Sequence, residues 1–315
     1  MPHRWSVVLA GGEGTRLAEY VERRFGERRP KQYCAFLGER SMFEHTLDRA
    51  EALASASRTI AVIGTSHVRW ATPQIAGRGA TLVVQPANRE TAAGVLLPLA
   101  WVKKRDPDAI VSILPSDHFI RPATRFVETV ESGLAVASAW RDRIVLFGVE
   151  PEEVEPEYGY VVPGGPVVSR ELRTLHRVAG FVEKPTAAIA REAMRNHALW
   201  NTFVMAGHID AFWDAARACV PAVVARFDRL VEAIDTPREN DVLRAIYDDM
   251  PEASFSRAVL EATTDRLLLA RLDGIEWSDW GRAERIEATM VRLHGRRPAK
   301  KAPHAAAGAT EQRAT

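Results

Sequence analysis

The stretch Trp5-Ser-Val-Val-Leu-Ala10 runs directly into Gly11-Gly12-Glu13-Gly14-Thr15-Arg16-Leu17, and the chain then reaches Pro30-Lys31-Gln32. The apolar residues predict a strand, and three glycines within four positions predict a loop whose backbone can approach a ligand closely. Successive N–H groups in such a loop can point at anionic oxygens. Arg16 and Lys31 would add positive charge, so we predict a strand that ends in a phosphate-binding loop.

Two well-known glycine loops are excluded by the residues themselves. A P-loop ends in Gly-Lys-Ser/Thr, and a dinucleotide-binding fingerprint needs a third glycine where this chain has Leu17. A glycine-rich turn between a strand and a helix, without any ligand, is the alternative interpretation.

The composition excludes several classes of partner. The chain has 315 residues, 46% of them hydrophobic and 26% charged, with a net charge of +1. This balance gives no electrostatic reason to expect nucleic acid or a membrane as a partner. No apolar run approaches the roughly 20 residues that cross a bilayer, and no signal peptide is recognisable. We therefore expect a cytoplasmic protein, with Cys34 and Cys219 as free thiols.

Short apolar runs alternate with helical patterns through the first half of the chain. The runs at 59–63, 80–84 and 109–114 predict strands that are covered on both faces, as in a parallel sheet. Between them, Ser41 and Glu44 are placed to form a capping box for a helix that extends to residue 53. The pattern is that of a βαβαβ unit, in which ligands bind at the carboxyl ends of the strands.

Two of these predicted strands are followed by polar turns. In Gln85-Pro-Ala-Asn-Arg-Glu-Thr91-Ala92, side chains such as Gln85 and Asn88 could read a base edge and Arg89 could reach a phosphate, although a helix N-cap without a ligand is the alternative. In Pro115-Ser116-Asp117-His118, a carboxylate at the end of a buried strand suits Mg²⁺, and a helix cap is the alternative.

Further candidate residues follow in the second half of the chain. Gly159 lies in a Tyr-Gly-Tyr stretch, either beside a ligand or at a simple β-bulge. Glu183 and Lys184 end a strand before a proline, and neighbouring side chains on a strand point to opposite faces; a surface ion pair is the alternative. Asp279 lies in Glu-Trp-Ser-Asp-Trp-Gly, where it could also cap a helix predicted over 280–293.

In this order along the chain, these motifs resemble the signature of the sugar-1-phosphate nucleotidyltransferases. The stretches that begin at Gln85 and Pro115 are similar to those of mannose-1-phosphate guanylyltransferases. The resemblance implies one α/β domain over residues 1–295, with a Rossmann-like mixed, mostly parallel sheet flanked by helices and an inserted sugar-binding lobe. Residues 1–150 would mainly bind the nucleotide and 151–295 mainly the sugar phosphate. We expect the short form, without a cupin or β-helix extension, and a disordered tail over 296–315.

The resemblance also implies roles for individual residues. Arg16, Lys31, Lys184 and Asp117 would be catalytic, and Asp117 and Asp279 would bind Mg²⁺. The sugar phosphate would contact Gly159, Glu183, Lys184 and Asn201. The nucleotide-binding residues would be Leu9, Ala10, Gly11, Gly12, Gly14, Thr15, Gln85, Asn88, Arg89, Thr91 and Ser116.

Several positions depart from the resembled pattern. Gln85 replaces a glutamate and Glu90 an asparagine beside the base, and Phe203 replaces a glycine and Ser256 an aspartate beside the sugar. An arginine-rich insert at 23–29 is best interpreted as a solvated charged face, with a flap over the triphosphate as the alternative.

The expected reaction is transfer of a nucleotidyl group from a nucleoside triphosphate to a hexose 1-phosphate, with release of pyrophosphate. GTP and mannose 1-phosphate are the favoured pair. The alternatives are another base or sugar, or a regulatory protein that binds nucleotide sugars with little turnover. The sequence leaves the oligomeric state open, a homodimer included.

Overall fold

The chain alternates strands and helices along most of its length. The structure, a computed structural model, describes residues 3–172 and 174–294. Its strands are β1 (Arg4–Leu9), β2 (Thr59–Gly64), β3 (Thr81–Gln85), β4 (Ile110–Pro115), β5 (Phe119–Arg121), β6 (Ile144–Val149), β7 (Gly159–Pro166), β8 (Leu175–Glu183), β9 (Leu199–His208), β10 (Leu267–Arg271) and β11 (Glu276–Ser278). Its helices are α1 (Ala18–Phe25), α2 (Met42–Leu53), α3 (Val68–Ile75), α4 (Glu90–Arg105), α5 (Ala123–Ala139), α6 (Ala187–Arg195), α7 (Ile209–Cys219), α8 (Pro221–Ala233), α9 (Glu239–Asp248) and α10 (Ala283–His294).

Most strands belong to one mixed sheet in the order β3-β2-β1-β4-β9-β6-β10-β8-β7. The pairings of β1 with β2 and β4, of β2 with β3, and of β6 with β10 are parallel. The strand β9 runs antiparallel between β4 and β6, and β8 is antiparallel to both β10 and β7. A separate antiparallel pair joins β5 to β11. The predicted mixed, mostly parallel sheet is confirmed.

Helices cover both faces of the sheet because successive strand residues are buried on opposite sides. On β1, Val7 belongs to one hydrophobic cluster and Val8 to the other. The first cluster includes most of the buried apolar residues of α4, α7, α8 and α9, and the second includes most of those of α2, α3, α5 and α6. The carboxyl ends of β1 to β4 are left for loops, which is where this architecture places ligands.

Local sequence signals set several helix boundaries. The predicted capping box of α2 is present, since the Glu44 N–H donates to Ser41 Oγ at 3.1 Å and the Ser41 N–H donates to a Glu44 carboxylate oxygen at 2.8 Å. At the other end of the chain, the helix predicted over 280–293 begins only at Ala283. Asp279 is therefore not its N-cap.

A third apolar cluster joins α1 near the start of the chain to α10 near its end. It contains Leu17 and Val21 from the first region, and Trp280, Ile286 and Met290 from the last. This contact fixes the segment around residue 280 beside the glycine loop.

Other predictions concern the arginine-rich insert, the two cysteines, the C-terminal tail and membrane-spanning segments. In the arginine-rich insert, Arg28 is exposed and pairs with Glu22 at 2.7 Å, as expected for a solvated face. Cys34 and Cys219 are both free thiols, and Cys34 is buried. The tail predicted at 296–315 lies outside the described residues. Among the residues that are described, no helix has the length and apolarity of a membrane span.

Gly133 leaves the least space for a side chain among the glycines of the described residues, and it therefore gives a test of the packing. A Cβ added to Gly133 of α5 would lie 2.3 Å from the Phe147 ring, whereas one added to Gly165 would meet nothing within 4 Å. Helix propensity alone predicts that Gly133→Ala stabilises the protein by about 1 kcal/mol. We expect instead a loss of about 1–3 kcal/mol from overpacking, measured by urea denaturation.

Gly165→Ala is the matched control and should change stability by less than about 0.5 kcal/mol. An unchanged or raised stability in Gly133→Ala would contradict the packing described here.

Candidate active site

The glycine loop between β1 and α1 is shaped by one glycine and left open by two others. Gly14 has φ of 64°, and a Cβ there would lie 3.3 Å from the Lys31 backbone nitrogen, so both conformation and space require glycine. A Cβ on Gly12 would meet nothing within 4 Å, and one on Gly11 would make only ordinary contacts. The protein itself therefore does not need glycine at 11 and 12, which fits the predicted close approach of a ligand.

Buried side chains that the sequence did not single out hold this loop. Gln32 donates from Nε2 to the carbonyls of Ala10 at 3.0 Å and Gly12 at 2.8 Å. The Tyr33 hydroxyl also donates to the Ala10 carbonyl at 3.0 Å, and His67 Nδ1 lies 3.1 Å from the same oxygen. The Pro-Lys-Gln motif thus contributes a loop support as well as Lys31.

The side chain of Lys31 lies between the two predicted metal-binding segments. Its ammonium group is 3.1 Å from a carboxylate oxygen of Asp117, and it donates to the backbone carbonyls of Asp279 and, at 3.3 Å, of Trp280. Only 8% of the Lys31 side chain is exposed. A buried ammonium needs such partners because it loses its water.

The small β5–β11 sheet brings the Asp117 carboxylate and the backbone of the Asp279 segment to this lysine. Its register sets Ser278 opposite Phe119, so the residues just before β5 and just after β11 are adjacent. Trp277 supports the arrangement by donating from Nε1 to His118 Nδ1 at 3.2 Å, which leaves His118 Nε2 facing Asp117 at 3.6 Å. His118 is therefore structurally engaged.

The electrostatics of the two carboxylates follow from burial and these partners. Burial alone would raise the pKa of Asp117, but Lys31 and His118 outweigh it and leave the pKa below its usual value. The pKa of Asp279 is likewise lowered against the effect of burial, by Lys31, by the Tyr158 hydroxyl and by the Gly281 N–H. Both side chains are therefore charged at neutral pH, as metal ligands must be.

The two carboxylates also fit a hard divalent cation. Asp279 Oδ1 accepts hydrogen bonds from Tyr158 at 2.6 Å, from Gly281 N at 2.9 Å and from Arg285 at 2.9 Å, while Oδ2 accepts none from any described residue. Over residues 3–172 and 174–294, no group of three or more His, Cys, Asp or Glu side chains could hold a metal ion. Two carboxylates suit Mg²⁺, which commonly fills its remaining positions with water and substrate phosphates.

The predicted sugar-phosphate residues meet at the ends of β7, β8 and β9. A Cβ on Gly159 would lie 2.5 Å from a Glu183 carboxylate oxygen and 3.3 Å from Asn201 Cβ, so a larger residue here would displace the Glu183 carboxylate. Gly159 pairs in register with Glu183, which excludes a β-bulge at this position. Burial, together with the neighbouring Glu261, raises the pKa of Glu183 although Lys184 opposes the shift.

Lys184 is exposed and forms no ion pair within the described part of the chain, so the surface ion pair considered above is absent. Its backbone has φ of 52°, and its N–H donates to the Tyr158 carbonyl at 3.2 Å. The lysine therefore follows the strand in a fixed turn with an available ammonium group.

Phe203 adopts a backbone conformation that favours glycine. Its φ is 57°, in the left-handed region that an aromatic residue rarely adopts. The ring packs edge-on against Phe255 at a centroid distance of 6.3 Å. Asn201 supports this turn, because its side-chain oxygen accepts the Phe203 N–H at 3.1 Å.

Three of the predicted nucleotide-binding residues lie at the end of β3 or in the turns after β3 and β4. Gln85 is buried and donates to the Ala87 carbonyl at 2.7 Å, and Asn88 accepts the Glu90 N–H at 3.0 Å. Ser116 lies beside the end of β1, where its N–H donates to the Leu9 carbonyl at 3.0 Å, and its buried hydroxyl has no hydrogen-bond partner within the described residues.

Arg89, predicted to contact a phosphate, donates to backbone carbonyls in this structure. Its guanidinium donates to the Tyr247 carbonyl at 3.0 Å and 3.3 Å, so it secures the α9 end instead of facing the loop. Thr91 is also occupied, since its hydroxyl accepts the Phe255 N–H at 2.8 Å. Both residues join α4 to segments more than 150 positions away in sequence, which local patterns do not reveal.

Arg16 lies in a short 3₁₀ turn, Thr15–Leu17, that follows the glycine loop. Its guanidinium pairs with Glu157 at 2.9 Å while 62% of the arginine side chain stays exposed. Arg282 lies on the same Glu157 oxygen at 3.3 Å. Arg16 can therefore exchange a carboxylate for a phosphate without leaving a buried charge unpaired.

The Nucleotidyl transferase family profile matches residues 5–288 of this chain. The chain belongs to the nucleotidyl transferase family. The family predicted from the sequence motifs is thereby confirmed, and the match spans all of the strands and helices that carry the candidate site, from β1 to the first part of α10.

Other members of the nucleotidyl transferase family are similar over most of the chain. Mannose-1-phosphate guanylyltransferase from Escherichia coli is 26% identical over 284 residues, which are 87% of this chain and 59% of the relative. The xanthan biosynthesis protein XanB from Xanthomonas campestris is 29% identical over 282 residues, 87% of this chain and 57% of the relative. The chain thus spans less than two thirds of the length of these relatives.

A solved structure gives the same architecture. The Thermus thermophilus protein described as mannose-1-phosphate geranyltransferase superposes with a TM-score of 0.78 at 26% identity, covering 91% of this chain and 79% of that one. The fold is therefore shared over most of this chain.

The contacts of Lys31 can be tested through stability. Lys31→Met would leave the Asp117 carboxylate without its ammonium partner, and we expect a loss of about 1–3 kcal/mol at neutral pH. Without the lysine, burial would raise the pKa of Asp117 above that of the unfolded chain, so the loss should shrink as the pH falls toward about 4. Denaturant titrations at several pH values measure both effects.

Lys103→Met is the control, because Lys103 pairs with the half-exposed Asp210 at 2.7 Å far from the site. Exposed pairs contribute about 0–1 kcal/mol. A deficit in Lys31→Met no larger than in the control would contradict the role assigned to these contacts.

Proposed function

We propose that this chain transfers a nucleotidyl group from a nucleoside triphosphate to a hexose 1-phosphate and releases pyrophosphate, with GTP and mannose 1-phosphate as the favoured pair. The observation that carries the proposal is the meeting of Lys31, Asp117 and the Asp279 segment, beside an open glycine loop. A protein that only bound a nucleotide sugar would have little need for this paired carboxylate arrangement.

The chemistry asks mainly for positioning and charge neutralisation. A sugar 1-phosphate oxygen is already anionic at neutral pH and can attack the α-phosphorus in line, forming the new P–O bond as the bond to pyrophosphate breaks. The obstacle is to bring two polyanions together, and fixed cations and preorganised N–H donors lower that barrier. No general base is required.

The roles of the side chains follow from their positions. The N–H groups of the loop at Gly11 and Gly12 would hold the triphosphate, and Arg16 would move from Glu157 to the departing β- and γ-phosphates. Lys31, predicted to act on those same phosphates, is instead enclosed by protein oxygens; we propose that it fixes the geometry of the carboxylates. Lys184, exposed and unpaired among the described residues, would bind the acceptor phosphate.

Asp117 and Asp279 would hold Mg²⁺, which would supply positive charge shared by the phosphates of both substrates. The oxygen of Asp279 that accepts no hydrogen bond from the described residues is the one available for this role. Glu183 and Asn201 would orient the sugar hydroxyls, with Gly159 giving the clearance that these side chains need.

The base preference rests on Gln85. With Nε2 committed to the Ala87 carbonyl, its side-chain oxygen remains as an acceptor beside Gly94 of α4. This oxygen could accept from an N–H of guanine, and equally from one of uracil or thymine. The similarity to relatives named as guanylyltransferases favours GTP, at 26–29% identity.

Removing either of two charges should abolish turnover without unfolding the protein. We expect Asp117→Ala and Lys184→Ala each to lower the rate of pyrophosphate release by at least about a hundredfold, because each removes a group placed against a phosphate. Circular dichroism and thermal melting would check the fold, and Lys103→Ala is the control. Near-normal rates in either variant would reject the site assignment.

The substrate proposal is tested by measuring pyrophosphate release for each pairing of the common nucleoside triphosphates with glucose 1-phosphate and mannose 1-phosphate, with and without Mg²⁺. We expect the highest kcat/KM for GTP with mannose 1-phosphate and no turnover without the metal. A different best pair would replace the favoured substrates while keeping the reaction. Tight nucleotide-sugar binding without turnover for any pair would instead favour the regulatory protein.

A further inference from the structure

We infer that Arg285 is a positioning residue that fixes the Asp279 carboxylate by one oxygen and so leaves the other oxygen free for a divalent cation. This inference rests on the proposed function, because it concerns the metal that the proposed reaction needs. Arg285 lies on α10, six residues after Asp279, and would touch neither substrate.

The donors around Asp279 are unevenly distributed. Oδ1 accepts hydrogen bonds from Tyr158 and Arg285 and from the Gly281 N–H, at distances between 2.6 Å and 2.9 Å. Oδ2 accepts none from the residues that the structure describes, and it lies 2.5 Å from the position that a Cβ on Gly281 would take. Three donors on one oxygen fix the rotation of the carboxylate and leave the other oxygen without a hydrogen bond that would compete with a metal.

Arg285 is itself held in place by contacts with Glu155 and Tyr158. Its second terminal nitrogen donates to the Glu155 carboxylate, whose side chain is only 4% exposed, and its guanidinium lies 4.7 Å from the centre of the Tyr158 ring. Glu155 is in turn fixed by the Glu157 N–H at 2.9 Å and by Arg282 at 3.4 Å. The arginine therefore has no freedom to swing toward the open side of the carboxylate.

An arginine beside a metal ligand could have one of two roles, and which one applies depends on whether its side chain is mobile or fixed. A mobile cation would compete with the metal for the carboxylate, so its removal would strengthen metal binding. A fixed cation on the far oxygen orients the ligand, so its removal would weaken metal binding. Partners of a metal ligand that act in the second way typically contribute about 10–100-fold in affinity. The contacts with Glu155 and Tyr158 favour the second role.

The direction of the change in metal affinity is the test. Mn²⁺ serves as the probe, and its free concentration is measured by electron paramagnetic resonance in the presence of the full chain and a non-hydrolysable analogue of the best nucleotide substrate. We expect Arg285→Ala to raise the dissociation constant for Mn²⁺ at least about tenfold. Arg285→Lys should restore part of the affinity relative to Arg285→Ala, since an ammonium can reach the same oxygen of Asp279 although it lacks the second hydrogen bond to Glu155.

Two further variants keep the test independent of folding. Tyr158→Phe removes another donor from the same oxygen without changing any charge, and it should weaken Mn²⁺ binding several-fold while the melting temperature stays near that of the wild type. Arg226→Ala is the control, because Arg226 also donates two hydrogen bonds to carboxylate oxygens, here both of Asp249 on the surface, and its Mn²⁺ affinity should equal that of the wild type.

Turnover gives a second readout. For Arg285→Ala, the Mg²⁺ concentration that gives half-maximal rate should rise about as much as the Mn²⁺ dissociation constant, with most of kcat recovered at saturating Mg²⁺. Unchanged or tighter Mn²⁺ binding in Arg285→Ala would overturn the positioning role alone. A wild-type protein that binds no Mn²⁺ with any nucleotide would overturn both this inference and the proposed function.

Discussion

The candidate site depends on one buried ammonium group. Lys31 satisfies its charge only where the Asp117 carboxylate and the carbonyls of Asp279 and Trp280 meet, so the loops after β4 and β11 must be brought to it. The small β5–β11 sheet and the stacking of Trp280 on Phe119 at 5.1 Å supply that placement. The glycine loop, held by the residues next to Lys31, shares the same support.

The fold and the outline of the site could be predicted from the sequence because their signals are local. Apolar runs gave the strands, a capping box gave the start of α2, and short motifs gave Asp117, Glu183 and Asp279. Each of these features depends on residues within a few positions of one another. The sheet order and the reversed direction of β9 depend on pairings between distant strands, which no local pattern specifies.

The parts that sequence could not give are the long-range contacts of polar side chains. Arg89 looked available for a phosphate, but it donates to the carbonyl of Tyr247, 158 positions away. Tyr158, Glu155 and Arg285 carried no clear motif of their own, although Tyr158 lies within the Tyr-Gly-Tyr stretch that marked Gly159. A polar residue shows its role only when its partner is known, and here the partner usually lies in the other half of the chain.

The separation of 248 positions between Lys31 and its carbonyl acceptor at Asp279 has a consequence for biosynthesis. While the chain is still on the ribosome, the N-terminal strands can pair, but the lysine lacks two of its three oxygen partners until the segment around Asp279 and Trp280 has emerged and α10 has docked. Contacts between distant positions also form late because closing long loops costs entropy. Any catalytic centre at this position would therefore form only after α10 has been synthesised, so chains that end before this helix could not consume nucleotide.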